Sequence, residues 1–145
     1  MLFRSVESVV AEAGRIDALV NNAFRPYLFE PDKRKLFWET DWDDYSRQME
    51  GAVSAAYHLS RAALSAMRAR AEGAIINMAS DLVARTVVPY HEYNTAKSAL
   101  VGFTRSLASE LGPLGIRANC VAPGLVYPTE ASRGTPEEEI GRAHV

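Results

Sequence analysis

The chain has 145 residues, with 16 Lys and Arg against 18 Asp and Glu, a formal net charge of −2 and 48% hydrophobic residues. That is the balance of one soluble globular domain with a real core. No basic block or stripe points to nucleic acid, no apolar run reaches the roughly 18 residues of a membrane span, and no leader peptide is visible, so the cytoplasm is the expected compartment.

In chain order, Ser5–Gly14 (SVESVVAEAG) reads as the end of a helix closed by glycine. Ile16, Leu19 and Val20 then form a short buried strand, ahead of Asn21 and Asn22. An aromatic, charged loop follows, broken by Pro26 and Pro31. Thr40 is a candidate helix cap with Asp43 three residues on, and the helix runs to about Arg70. Gly73–Ser80 (GAIINMAS) is a second buried strand. Ala96, Ala99, Leu100, Phe103, Leu107 and Leu111 recur at helical spacing over His91–Leu111, and Gly112 and Pro113 end that helix. A third buried strand, GIRANCVAPG, stops at Pro123 and Gly124. Thr135, Pro136 and Glu138 are the start signals of one more helix.

Alternation of strands and helices, with strands nearly all apolar, predicts parallel strands covered on both faces. Ligands of such sheets bind beyond the carboxyl ends of the strands. Asn21, Ser80, Pro123 and Gly124 all follow strand ends, and Tyr93 and Lys97 lie early on the helix fed by the second strand. Tyr93 and Lys97 are four residues apart, so they share a helix face with Cβ atoms roughly 5–6 Å apart. A cation beside a phenol favours the phenolate. The pair is either an acid/base device or two amphipathic side chains on a wet face. Cys120, the single cysteine, excludes an internal disulfide and reads as a small buried hydrophobe. His58 and His91 have no ligand spacing, and no metal site is expected. Phe24, Tyr27, Phe29, Phe37 and Trp38 either line a substrate mouth or pack in a core or subunit contact.

Four segments in order, VNNA, INMAS, YNTAK and GIRANCVAPG, resemble the marks of the short-chain dehydrogenases/reductases, with a Ser80-to-Tyr93 gap of 13 (93 − 80). Tyr-x-x-x-Lys alone occurs in many helices; the ordered set is specific. The resemblance spans roughly residues 6 to 140. It implies the carboxyl-side half of one α/β, Rossmann-like, doubly wound parallel sheet, with three strands and flanking helices present. It also implies an NAD(P)-dependent oxidoreductase interconverting a carbonyl and a secondary alcohol. Tyr93 would be the general acid/base, Lys97 would serve both the phenolate and the nicotinamide ribose, and Ser80 would position the substrate oxygen. Asn21 and Ala23, together with Tyr93, Lys97, Pro123 and Gly124, would line the NAD or NADP site. A small-molecule partner and a homodimer or homotetramer, joined through the helices at about Asp41–Arg70 and His91–Leu111, are implied as well.

The chain departs from the family pattern in places. Phe24 stands where the family carries glycine, and Ala52 or Met49 where it carries a catalytic asparagine. Thr129 lies five residues after Gly124, one further than usual. None of the nine glycines forms a GxxxGxG or GxGxxG phosphate loop, so the first half of the fold is expected to be missing from this sequence. Leu2–Ser5 and Ile140–Val145 resemble translated sequencing adapters, and residues 1–5 and 140–145 are expected to be non-native ends. The alternative function is a catalytically silent cofactor-binding or structural relative.

Overall fold

The computed structural model describes residues 2–27, 29–129 and 132, with side chains from residue 5 onward. Helix α1 (Leu2–Ala13) ends at Gly14, whose φ of 73° suits glycine and whose N–H donates to the Val10 carbonyl. Strand β1 (Ala18–Asn21) follows, then helix α2 (Trp42–Met49), a π-helical turn (Glu50–Ser54) and helix α3 (Ala55–Arg70) in one continuous run. Strand β2 (Gly73–Met78), helix α4 (His91–Leu111) and strand β3 (Ile116–Val121) complete the described elements. The helix expected from Thr135, and the expected non-native end at 140–145, lie outside the described residues.

The strands form one parallel sheet in the order β1-β2-β3. Leu19, Ile75 and Ala118 are in register and share a face. Ile75, Ala118, Ile116 and Ile16 pack with Val6 of α1, Ala63 and Met67 of α3 and Leu111 of α4 to make the core. Helices α1, α3 and α4 therefore cover one face, with α1 packed on α3. The expectation of cover on both faces is corrected: among the described residues no helix packs on the other face. There Val20 and Val121 are 55% and 46% exposed, so Val20 is not buried as its apolar run suggested. The two corrections have one cause, because period-2 alternation sends Val20 to the face that lacks a layer.

Two boundaries depend on local chemistry. The cap of α2 is Asp41, not Thr40: its side chain accepts from Asp44 N–H, and the Asp44 carboxylate accepts from Asp41 N–H. The Thr40 hydroxyl instead donates to the Phe37 carbonyl. After α4, Gly115 turns the chain with φ of 77° into β3; a Cβ there would lie 2.0 Å from the Ala71 carbonyl oxygen, so only glycine fits.

Candidate active site

The carboxyl ends of β2 and β3 are laced together. Ala79 N–H donates to the Val121 carbonyl at 2.7 Å, and Asp81 N–H to the Pro123 carbonyl at 3.0 Å. This brings the Pro123–Gly124 turn beside Ser80. The buried Ser80 leaves β2 in extended conformation and caps a short turn, its hydroxyl accepting from Leu82 N–H at 3.3 Å.

Helix α4 starts one loop later and carries Tyr93 and Lys97, both buried, to the same rim. Burial pushes the Tyr93 phenol upward from its ordinary value; a hydrogen bond with Ser80 pulls it back and the Asp81 carboxylate adds to the rise. Burial also pushes the Lys97 ammonium downward, opposed by Cys120. Lys97 Nζ donates to the Met78 carbonyl at 2.7 Å and lies 5.6 Å from the centroid of the Tyr93 ring. From the sequence, the neighbouring cation is expected to lower the phenol. In this arrangement desolvation is the largest influence on the phenol, the Ser80 hydrogen bond is what opposes it, and the net shift is upward.

Three of the loop aromatics surround this pair. Tyr27 and Phe29 pack on the Tyr93 ring with centroids at 5.2 and 4.9 Å, and both touch Tyr90 at 5.5 Å. The Tyr27 hydroxyl donates to Glu92 at 2.9 Å, and burial with that carboxylate pushes its own pKa up. Phe24 lies over Lys97, 5.2 Å from Nζ to the ring centroid. Phe37 meets His91 at 5.7 Å but is 64% exposed, and Trp38 is 78% exposed, so these two stand away from the site.

Other expected site residues fall differently. Ala23 is exposed on the loop after β1. The Asn21 side chain turns into the helix-covered face, where its amide donates to Asn77 Oδ1 at 2.8 Å and to Ser60 Oγ at 3.3 Å. Asn77, fully buried, donates in turn to Thr104 Oγ1 at 2.8 Å, and Thr104 donates to the Leu100 carbonyl. Asn21 Oδ1 has no hydrogen-bond partner among the described residues. The Thr129 hydroxyl donates to the Val126 carbonyl at 3.2 Å and meets Ser132 in its own turn. Ala52 is buried inside the π-helical turn, with Met49 just before it. Sequence reasoning missed Asn77, Ser60 and Thr104. The signal was available for Asn77, a polar residue at the same parity as Ile75 in an apolar run, which must find a partner when buried.

The family model described as enoyl-(acyl carrier protein) reductase matches residues 2–144. The chain is 39% identical to the short-chain reductase protein NovJ of Streptomyces niveus over 126 residues, covering 84% of this chain and 44% of that protein. Among solved structures, NAD+-bound xylitol dehydrogenase superposes with a TM-score of 0.77 at 31% identity, covering 88% of this chain and 47% of that one. ElxO with NADP bound gives 0.76 at 29% identity, covering 86% and 48%. The chain spans about half the length of the curated relatives it matches.

Proposed function

The chain belongs to the short-chain dehydrogenase/reductase family, and on that premise we propose that it carries the reacting rim of an oxidoreductase interconverting a carbonyl and a secondary alcohol. The observation that carries the reading is the meeting of Ser80, Tyr93 and Lys97, from a strand end and a helix start, at the carboxyl edge of a parallel sheet. Tyr93 gives its proton to the carbonyl oxygen as the alcohol forms, and takes it back in the reverse direction. Ser80 donates a hydrogen bond to the same oxygen and fixes its position. Lys97 has three donors and gives one to Met78, so two remain for a ribose diol and for the phenolate.

NAD or NADP, each named in a solved neighbour, supplies or accepts the hydride when bound. The donor set of this rim fits the nicotinamide side of such a cofactor, with Ala23, Pro123 and Gly124 on the flanking turns. Asn21 supports the rim from beneath, since its amide is committed inside. On this reading residues 6–140 are the carboxyl-side half of one Rossmann-like domain in a cytoplasmic homodimer or homotetramer. Tyr57 on α3 and Phe103 on α4, 6.5 Å apart with Tyr57 40% exposed, support a contact through those helices.

A second reading, a catalytically silent cofactor-binding or structural relative, is favoured by the raised Tyr93, the lowered Lys97, Ala52 in place of asparagine and the ring of Phe24 on Lys97. Assaying the complete protein for NADH or NADPH oxidation across a carbonyl panel separates the two. Cofactor binding without turnover on any carbonyl would sink the enzymatic reading.

A further inference from the structure

Lys97 is 5% exposed, and among the described residues no carboxylate pairs with it. A buried ammonium in that setting needs compensating negative potential. One source is the Met78 carbonyl at 2.7 Å. The other is a pair of ring faces, Phe24 at 5.2 Å and Tyr93 at 5.6 Å from Nζ to centroid. The negative face of an aromatic quadrupole attracts a cation within about 6 Å, more strongly where water is excluded. One residue along from Phe24, loop and helix are in direct contact: a Cβ on Gly51 of the π-helical turn would come within 2.7 Å of Arg25 Cβ.

We propose that Phe24 is a positioning residue for Lys97, its ring face holding the ammonium on the Met78 carbonyl between two aromatic faces and next to Tyr93. The inference rests on the reading of Lys97 as the ion that serves Tyr93. The titratable groups facing Lys97 are Tyr93 from α4 itself and Cys120 from β3. Among the described residues strand β2 offers only its Met78 carbonyl, and the loop after β1 only the uncharged ring. Phe24 helps to keep the ammonium charged, against the burial that lowers it. The ring stands at a position where the family motif has glycine, which offers no ring face, so this chain holds its lysine by a contact the motif does not provide.

The test is side-chain 15N NMR of the lysine ammonium groups in the complete protein, with the Lys97 signal assigned by its loss in Lys97→Arg. Phe24→Leu keeps apolar bulk and removes the quadrupole; Phe24→Tyr keeps both. Phe24 is 41% exposed, so neither change opens a core cavity. In wild type and Phe24→Tyr the Lys97 signal should be displaced upfield by ring currents. In Phe24→Leu about half of that displacement should vanish and the titration midpoint should drop by about one pH unit, tenfold in the protonation equilibrium. The alkaline limb of kcat/KM should move by the same amount. Superimposable shifts and midpoints in wild type and Phe24→Leu, or identical behaviour of Leu and Tyr, would overturn the proposal. If the NMR differences appear but wild type turns over no carbonyl, the positioning role stands and the enzymatic reading falls.

Discussion

Two polar clusters, both reached from the carboxyl end of β2 and from α4, are built on opposite plans. Asn21, Asn77, Ser60 and Thr104 form a chain of buried hydrogen bonds from β1 through β2 to α3 and α4, closed except for Asn21 Oδ1. Ser80, Tyr93 and Lys97 are as deeply buried but keep open valences: a phenol pushed up, an ammonium pushed down and one carbonyl for three N–H donors. Thr104 lies seven residues after Lys97 on α4, two turns along the same face. The closed cluster therefore anchors the helix that presents the open one. Satisfied polarity rigidifies, while unsatisfied polarity at a rim is available to a ligand.

Breaking the open cluster should cost chemistry rather than stability. Tyr93→Phe in the complete protein is expected to lower turnover by at least about a hundredfold, the scale of a lost general acid, with cofactor binding retained. Near-normal turnover would remove Tyr93 from the mechanism. Lys97→Ala should weaken both turnover and cofactor affinity by roughly 10- to 100-fold, the worth of a charge-assisted hydrogen bond. A variant that changed the pH profile but bound cofactor normally would refute the ribose contact.

Breaking the closed cluster should do the reverse. Asn77→Ala removes the bond that Thr104 Oγ1 accepts, leaving it only its own donation to the Leu100 carbonyl, and strips Asn21 of its shorter bond, at an expected cost of about 1–3 kcal/mol in urea denaturation. Its kcat/KM should fall by less than about tenfold. A large catalytic loss at unchanged stability would show that the two clusters are not separable in this way.

The same contrast explains what the sequence discloses. Helix α4 was legible to its ends because apolar periodicity and the Gly112–Pro113 stop act locally. The convergence of Ser80, Tyr93 and Lys97 follows from strand-end logic and ordered motifs, which also act over short spans. The Asn77 pairing was not legible, because it needs the register of β1 on β2 and the rotation of α4 about its axis. The π-helical turn at Ala52 was equally silent: its residues have ordinary helix chemistry, and its close approach to Arg25 at Gly51 is a tertiary contact that no local pattern encodes. The shift of the α2 cap by one residue came from a competitor, the Phe37 carbonyl, which engages Thr40. The downward pull of Lys97 on Tyr93 failed for a third reason: adjacency on a helix gives distance but not burial, and burial decided the sign.

The finest distinction between the clusters is their response to alkali, and its sign can be worked out. Lys97 is lowered below its ordinary 10.5 by burial, so between that lowered value and 10.5 the unfolded chain holds the extra proton. Stability should then rise with pH across this window, and the contribution is lost as pH falls through the folded pKa. Tyr93 is raised above its ordinary 10.0 by burial, so the native phenol keeps its proton where the unfolded one ionises. Its contribution is complete below 10.0 and is lost as pH climbs toward the raised value; Tyr27, raised by burial and Glu92, adds to that decline. Urea denaturation of the complete protein between pH 8 and pH 11, taken as differences from wild type, should isolate each term. Lys97→Met should flatten the rise and Tyr93→Phe should reduce the fall. Asn77→Ala should lower the whole curve without changing its shape, because no proton moves in the closed cluster. A change of shape in Asn77→Ala as large as in Lys97→Met would mean that the two clusters titrate as one.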